Sequence, residues 1–466
     1  MKLLFINAIN EMRTHRDEFA QPAIGPLYIA SYLAKYGNYR NIQVMECGKT
    51  DSNALKRVNP DIVGISSITQ NFTIAKRLCA EIKQSLDVPI IIGGFHITAL
   101  PQTMTPDMDI GVIGEGEQTM LDLVYAYEDN GLDKRYLNAI NGITYRDENR
   151  LVATPKRELI TPIDIIPYPA RHLIDYDPSQ GKSVITSRGC PYHCQFCSQA
   201  SMWNSIRYHS PEYVIGEIRQ IWQDYRPKSI GLDDDLFAVN KPRLRKMIEL
   251  ARQESWFGKI KFICSARANL ADNETAKLLK ELGVYSVFMG FETFTEKNLN
   301  YLKGNSVTVQ QNKDAINTFS DAGLEIIGSF IIGSPDETKE EMLETLNTIK
   351  NSKLTYFEVN ALLPLPVTKV WEEAKARGLV SDDMNWSELG FSLPENPNSR
   401  VIVSKIPREE LLQVMQLFLK ERSRRLRKRL LILGIKHPEK IIDYLKNQKE
   451  AKNRLSKINK NALVVK

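Results

Sequence analysis

The chain has 466 residues and carries 62 lysines and arginines against 56 aspartates and glutamates, a net charge of +6. That length holds two or three domains, and the 42% apolar content allows sizeable cores. So small a positive excess does not by itself argue for nucleic acid, and no apolar run approaches the ~20 residues of a membrane span. The opening run Met1-Lys2-Leu3-Leu4-Phe5-Ile6-Asn7 lacks the length and cleavage site of a signal peptide, so a cytoplasmic location is expected.

Residues 2–7 read as a first strand, 26–35 as a helix, 42–46 and 62–66 as further strands, and 74–86 as a second helix. A fourth strand at 89–92 runs into Gly93-Gly94-Phe95-His96. A fifth at 110–113 runs into Gly114-Glu115-Gly116-Glu117, with a helix from Thr119. This alternation predicts a parallel α/β sheet over residues 1–135. Open sheets of that kind bind ligands beyond the carboxyl ends of their strands, which here carry Asn7, Ser66, Thr69, Gly93, Gly94, Gly114, Glu115 and Gly116.

Residues 136–180 read as a connector: a hairpin from 143–146 and 151–153 around Asp147-Glu148-Asn149-Arg150, then a proline-rich crossing at 162–169. Over 181–390 the alternation resumes, with strands at 183–186, 229–232, 261–264, 286–289, 326–332 and 356–360. Each ends in polar residues or glycine: the cysteine loop, Asp233-Asp234-Asp235, Ser265-Ala266-Arg267, Gly290-Phe291-Glu292-Thr293, Gly333-Ser334-Pro335 and Leu363-Pro364-Leu365-Pro366. Six such units predict a partial (β/α)6 barrel of the TIM type, whose chemistry belongs at the carboxyl ends of its strands. The fold expected overall is α/β: a Rossmann- or flavodoxin-like domain, the barrel, and a helical C-terminal segment over 391–466.

The densest chemical signal is Cys190, Cys194 and Cys197, spaced C-x3-C-x2-C, with the other three cysteines (Cys47, Cys79, Cys264) scattered in apolar or strand-like contexts. Soft thiolates gathered on one loop suit iron and sulfide, and three of them on a cubane cluster leave one iron open. A zinc site would need His193 beside Cys194, but adjacent side chains point apart. A redox dithiol from Cys194 and Cys197 would have no use for Cys190. The scattered cysteines fit a reducing compartment rather than a disulfide framework.

The cysteine loop, with Phe196 before its last cysteine, resembles the signature of radical S-adenosylmethionine (SAM) enzymes. The resemblance implies a 4Fe–4S cluster on Cys190, Cys194 and Cys197, with SAM chelating the open iron. Gly290-Phe291-Glu292-Thr293 and the segment 328–335 are similar to later elements of that family in the same order, and Pro364-Leu365-Pro366-Val367-Thr368 departs from it by placing Val367 where relatives carry glycine. On this resemblance Asp233, Asp234, Ser265, Arg267 and Glu292 are the candidate SAM contacts, Glu292 as an acceptor for the ribose or amino group. The first domain, through Pro60-Asp61-Ile62-Val63-Gly64-Ile65-Ser66, Gly-Gly-x-His and Gly-Glu-Gly-Glu, resembles the cobalamin-binding domain that precedes many radical SAM domains. The implied cobalamin contacts are Asn7, Ser66, Thr69, Gly93, Gly94, His96, Gly114, Glu115 and Gly116. No Asp-x-His-x-x-Gly motif is present, so the resemblance implies no protein histidine on cobalt. A flavodoxin-like domain with another cofactor or none is the alternative.

The resemblance implies a cobalamin-dependent radical SAM enzyme that methylates an unactivated carbon of a small-molecule or lipid-like substrate, fed by an electron donor such as flavodoxin or ferredoxin. The alternatives are radical cyclisation or rearrangement without methyl transfer, and a non-catalytic cobalamin or redox sensor. The tail reads as a helix over 408–429 ending in the basic run Arg422-Ser423-Arg424-Arg425-Leu426-Arg427-Lys428-Arg429. Such a helix can lie on a membrane surface or grip phosphates. The reading preferred here is a helix packed on the barrel with solvated or paired arginines, which leaves nucleic acid disfavoured and peripheral membrane contact open.

Overall fold

The computed structural model of the chain describes residues 1–9, 24–148, 150–174, 182–203, 205–390 and 401–436. The polar tail over 452–466 lies outside the described residues.

Strands β1 (Leu3–Ala8), β2 (Ile42–Cys47), β3 (Ile62–Ser66), β4 (Ile90–Gly93) and β5 (Ile110–Val112) are the apolar runs seen in the sequence. Unbroken runs such as Ile90-Ile91-Ile92 are buried on both faces because helices cover both sides of the sheet. The helices Gly25–Tyr36 and Gly116–Asn130 pack on one face and Phe72–Ser85 on the other. Sheet order is β2-β1-β3-β4-β5-β6-β7, with β1 to β5 parallel, so the winding reverses between β1 and β3. The predicted hairpin, β6 (Ile143–Asp147) and β7 (Arg150–Ala153), does not belong to a separate connector. It adds two antiparallel strands to this sheet through β5, so the sheet continues past residue 135.

The second sheet is the predicted six-stranded one. Strand β8 (Lys182–Val184) precedes a short antiparallel pair, β9 (Ser187–Arg188) and β10 (Arg207–Tyr208), absent from the expectation. Then come β11 (Ser229–Leu232), β12 (Lys261–Ala266), β13 (Val284–Glu292), β14 (Glu325–Ile332) and β15 (Tyr356–Ala361). Order is β15-β14-β13-β12-β11-β8 and every pairing is parallel, an open barrel. Its helices start where a short polar side chain caps them: Ser210, Asn240, Asp272, Thr308 and Thr338 each accept a backbone N–H of the first turn. Thr308 with Gln311, and Thr338 with Glu341, close reciprocal capping boxes.

The two sheets share a core. Leu4, Ile65 and Phe72 of the first pack in one cluster with Leu302, Trp371 and Trp386 of the second. Helix Arg408–Lys436 buries Leu411, Val414, Met415 and Phe418 on the barrel. Arg422 reaches Glu358 at 2.6 Å and Arg429 reaches Glu325 at 2.6 Å. Buried Arg425 pairs with Glu421 and donates to the carbonyls of Leu354 and Ile349. Three of the run's six basic side chains, Arg422, Arg425 and Arg429, are built into the barrel wall and Arg424, Arg427 and Lys428 are exposed, the packed helix with solvated or paired arginines preferred from the sequence. Among the described residues no helix is long and apolar enough to cross a membrane.

Candidate active site

The carboxyl ends of both sheets open on one cleft with about 1260 Å³ of empty space, its mouth included. Ser66, Gly93, Gly94, Gly114, Glu115 and Gly116 line it from the first sheet; Ser187, Arg188, Gly189, Asp233 and Asp235 line it from the second. Phe5, Ile29, Met120 and Trp203 supply apolar walls. Gly94 has φ +99°, and a Cβ there would lie 2.4 Å from the Ser67 carbonyl oxygen, so a side chain has no room. Tyr28 also lines the cleft, and its buried hydroxyl has no hydrogen-bond partner among the described residues. A glycine-faced floor, apolar walls and an unsatisfied buried hydroxyl suit a large flat macrocycle with polar side arms, so the residues fit cobalamin.

Three of the nine candidate cobalamin contacts lie off the cleft lining. Asn7 donates to Glu46 at 2.8 Å. His96 is fully buried, stacked on Phe72 at 3.7 Å and edge-on to Trp386 at 4.5 Å. Its Nε2 meets Thr103 Oγ1 at 3.0 Å, and its Nδ1 lies 3.4 Å from the Thr69 hydroxyl, so Thr69 is drawn to the histidine. Burial, with Lys76 adding repulsion, pushes the imidazole down to about 3, which keeps it neutral inside an aromatic stack.

Glu115 and its neighbour Glu117 do more than line the cleft. Arg188, two residues before the first cysteine, donates to Glu115 at 2.8 Å and to Glu117 at 2.5 Å. Arg207 donates to both oxygens of Glu115, at 3.0 and 2.9 Å, and the Ile160 N–H adds a bond at 2.7 Å. This latch ties the first sheet to the cysteine loop. The Gly-Glu-Gly-Glu segment was its only sequence signal, since the arginines lie 71 to 92 positions away.

The cysteine loop is braced from several sides. The Gln195 N–H donates to the Leu302 carbonyl at 2.9 Å, and Ser198 donates to the Pro366 carbonyl at 3.0 Å. Gln199 donates to Asp235 at 2.9 Å and accepts from Trp203 Nε1 at 2.7 Å, and Phe196 packs into the shared core. Gly189 has φ +93°, with no space for a Cβ against the Ser205 carbonyl. None of the six cysteines, all among the described residues, forms a disulfide. The three of the loop are half-buried, while burial pushes the Cys79 thiol up to about 12 and raises Cys264 further. Among the described residues no three His, Cys, Asp or Glu side chains stand close enough to hold a single metal ion. Three soft thiolates on one loop are the donor set of an iron–sulfur cluster.

The acidic run divides by direction, as neighbouring residues must. Asp233 lines the cleft, and burial raises its carboxyl against the Ser183 hydroxyl. Asp234 faces inward and accepts from the N–H and hydroxyl groups of both Thr186 and Ser187, at 2.5 to 3.0 Å. It braces the chain entering the cysteine loop and does not line the cleft. Asp235, outside the predicted set, does line it, and burial with Asp234 nearby pushes its carboxyl up to about 6. Ser265 sits half-buried on β12, and its carbonyl accepts the Phe237 N–H at 3.1 Å. Arg267 turns to the cysteine loop, with Nη1 3.3 Å from Cys194 Sγ. Glu292 lies at a bulge ending β13, with φ +62°, and its buried carboxylate pairs with buried Lys303 at 2.9 Å. A left-handed non-glycine residue at a strand end is strain of the kind that collects at functional sites. Val367, the departure in the last loop, has φ +60°, so the chain keeps a conformation that glycine takes freely.

The radical SAM superfamily profile matches residues 184–349, and the B12 binding domain profile matches residues 16–124. An uncharacterised methyltransferase of Pyrococcus horikoshii is 34% identical over 381 residues, 78% of this chain and 81% of that protein. The anaerobic magnesium-protoporphyrin IX monomethyl ester cyclase of Cereibacter sphaeroides is 26% identical over 73% of this chain and 57% of its own length. Among solved structures, the radical SAM methyltransferase TsrM of Kitasatospora setae, with cobalamin and a 4Fe–4S cluster bound, superimposes with a TM-score of 0.67 at 18% identity. The match covers 81% of this chain and 75% of that one, a likeness of fold. With two domain matches in the right order and a relative at this identity across most of both chains, the chain belongs to the cobalamin-dependent radical SAM methyltransferase family, whose cofactors are a 4Fe–4S cluster, SAM and cobalamin.

Proposed function

We propose that this enzyme methylates an unactivated carbon of a small-molecule substrate in the cleft between its two sheets. One observation carries the reading: the glycine-bearing strand ends and the residues that flank the cysteines, Gly189 before them and Gln199 after them, line the same cleft, and Arg188 ties the two sides together. When bound, the cluster on Cys190, Cys194 and Cys197 supplies the electron that cleaves SAM, and cobalamin supplies the methyl group. The protein's part is to hold these groups facing each other and exclude water. Ser66, Gly93, Gly94, Gly114 and Gly116 seat the corrin by backbone approach. Glu292 is the acceptor for the ribose or amino group of SAM, with Lys303 fixing its carboxylate, and Asp233 and Ser265 are further SAM contacts. In domain terms, the first sheet carries cobalamin and the barrel carries cluster and SAM. The substrate enters by the cleft's open mouth. A flavodoxin or ferredoxin supplies the electron, and six cysteines without a disulfide favour a reducing cytoplasm.

The likeness to a cyclase favours a second reading, ring closure without methyl transfer. Anaerobic reconstitution followed by mass spectrometry of SAM products separates the two. Methyl transfer yields both 5′-deoxyadenosine and S-adenosylhomocysteine, whereas cyclisation yields 5′-deoxyadenosine alone. Replacing the three loop cysteines by alanine abolishes iron uptake and 5′-deoxyadenosine; cleavage surviving in that variant would refute the assignment.

A further inference from the structure

The turn after β12 grips the cysteine loop. The Arg267 guanidinium carbon sits over the Tyr192 ring, 3.9 Å from its centroid, and Asn269 donates to the Tyr192 hydroxyl at 2.9 Å. One arm of Arg267 reaches Cys194 Sγ at 3.3 Å, and the other donates to Ser306 at 2.5 Å. Arg267 is only 7% exposed, and among the described residues its hydrogen bonds run to Cys194 and Ser306 rather than to a carboxylate. A buried cation without a counter-charge is costly to desolvate. The anionic partner within reach is the thiolate that Cys194 becomes when it ligates iron.

We propose that Arg267 is the counter-cation of the cluster, a positioning and tuning residue that donates an N–H···S bond to Cys194 and raises the cluster's reduction potential. The inference rests on the cluster reading above. Adding one electron makes the cluster more negative. A fixed positive charge and a hydrogen bond on its sulfur stabilise that state, so they ease delivery of the electron from a low-potential donor. Tyr192 holds the guanidinium plane in place, a task a lysine could not perform as well.

The test is a potentiometric titration of full-length, reconstituted protein without SAM, with dithionite as reductant and electron paramagnetic resonance of the reduced cluster as readout. Arg267→Gln is expected to keep its iron and to lower the ratio of reduced to oxidised cluster about tenfold at a fixed potential, about 59 mV for one electron. Arg267→Lys should fall between it and wild type. Tyr192→Leu, which leaves the arginine in place but removes its platform, should shift the same way by less. Iron bound at wild-type potential in Arg267→Gln would overturn the inference alone. So would iron lost in both arginine variants with Tyr192→Leu at wild-type potential, since Arg267 would then serve cluster assembly only. Wild-type protein that takes up no iron would overturn the cluster reading itself.

Discussion

Replacing Arg188 by glutamine should loosen both walls of the cleft at once. The side chains of Arg188, Glu115 and Glu117 are 15%, 3% and 5% exposed, so the charges are desolvated, and breaking such a pair by removing one partner costs about 3–5 kcal/mol. The loss is not shared equally. Glu115 keeps Arg207 and the Ile160 N–H, whereas Glu117 has no second hydrogen-bond partner among the described residues. The lower end, about 3 kcal/mol, is therefore expected, and it converts to roughly a hundredfold faster local opening at about 1.4 kcal/mol per tenfold. Hydrogen exchange read by mass spectrometry on the cofactor-free chain is the assay, because a chain of two sheets need not unfold in one step. Exchange should accelerate in the start of helix Gly116–Asn130 and in the cysteine loop together. Glu117→Gln alone should reproduce much of the effect. The double variant should lose less than the sum, because the charge left unpaired by either single change is gone. Acceleration on one side only, or strictly additive effects, would refute the latch.

Glu292→Gln should weaken SAM binding by about 1–3 kcal/mol, the range for a lost charged hydrogen bond, with iron content unchanged; equilibrium dialysis checks it. His96 carries a pH signature. Its folded value of about 3 lies below the ordinary 6.5, so the unfolded chain binds the extra proton. Its contribution to stability is complete above about 6.5 and is lost as pH falls toward 3. His96→Leu should flatten the acid limb of a thermal-unfolding profile and leave the electron paramagnetic resonance spectrum of bound cob(II)alamin unchanged; a changed nitrogen splitting would place the histidine on cobalt. Arg425→Ala should destabilise the barrel by about 2–4 kcal/mol, because it strips carbonyls of Ile349 and Leu354 and leaves Glu421 buried. Wild-type protein should show no salt-sensitive retention on anionic vesicles or oligonucleotides in co-sedimentation.

The strands were readable because each is an apolar run ending in glycine or a polar residue, a local signal. The hairpin at 143–153 was readable as a hairpin but not as part of the first sheet, because its partner Ile110–Val112 is set by tertiary packing. The cysteine loop stood out through its spacing alone. Asp234 and Asp235 could not be sorted, since a run of three aspartates does not say which side chain the strand aims inward. His96 sits beside two cleft glycines, yet Phe72 and Trp386, the latter 290 positions on, claim its ring. Arg188 and Lys303 escaped notice because a buried arginine or lysine looks like a surface one until its carboxylate partner is known.

Val367 gives the loop after β15 an unusual balance sheet. A branched side chain in the left-handed region costs about 1–2 kcal/mol, which glycine would not incur. Glycine would instead restore roughly 0.5–1 kcal/mol of backbone freedom to the unfolded chain. The difference leaves glycine ahead by about 0.5–1 kcal/mol, so Val367→Gly should raise the melting temperature slightly. What the valine adds is stiffness. The adjacent Pro366 carbonyl holds Ser198, next to the last cysteine, and a loop with few alternative conformations returns that oxygen to the same place after each turnover.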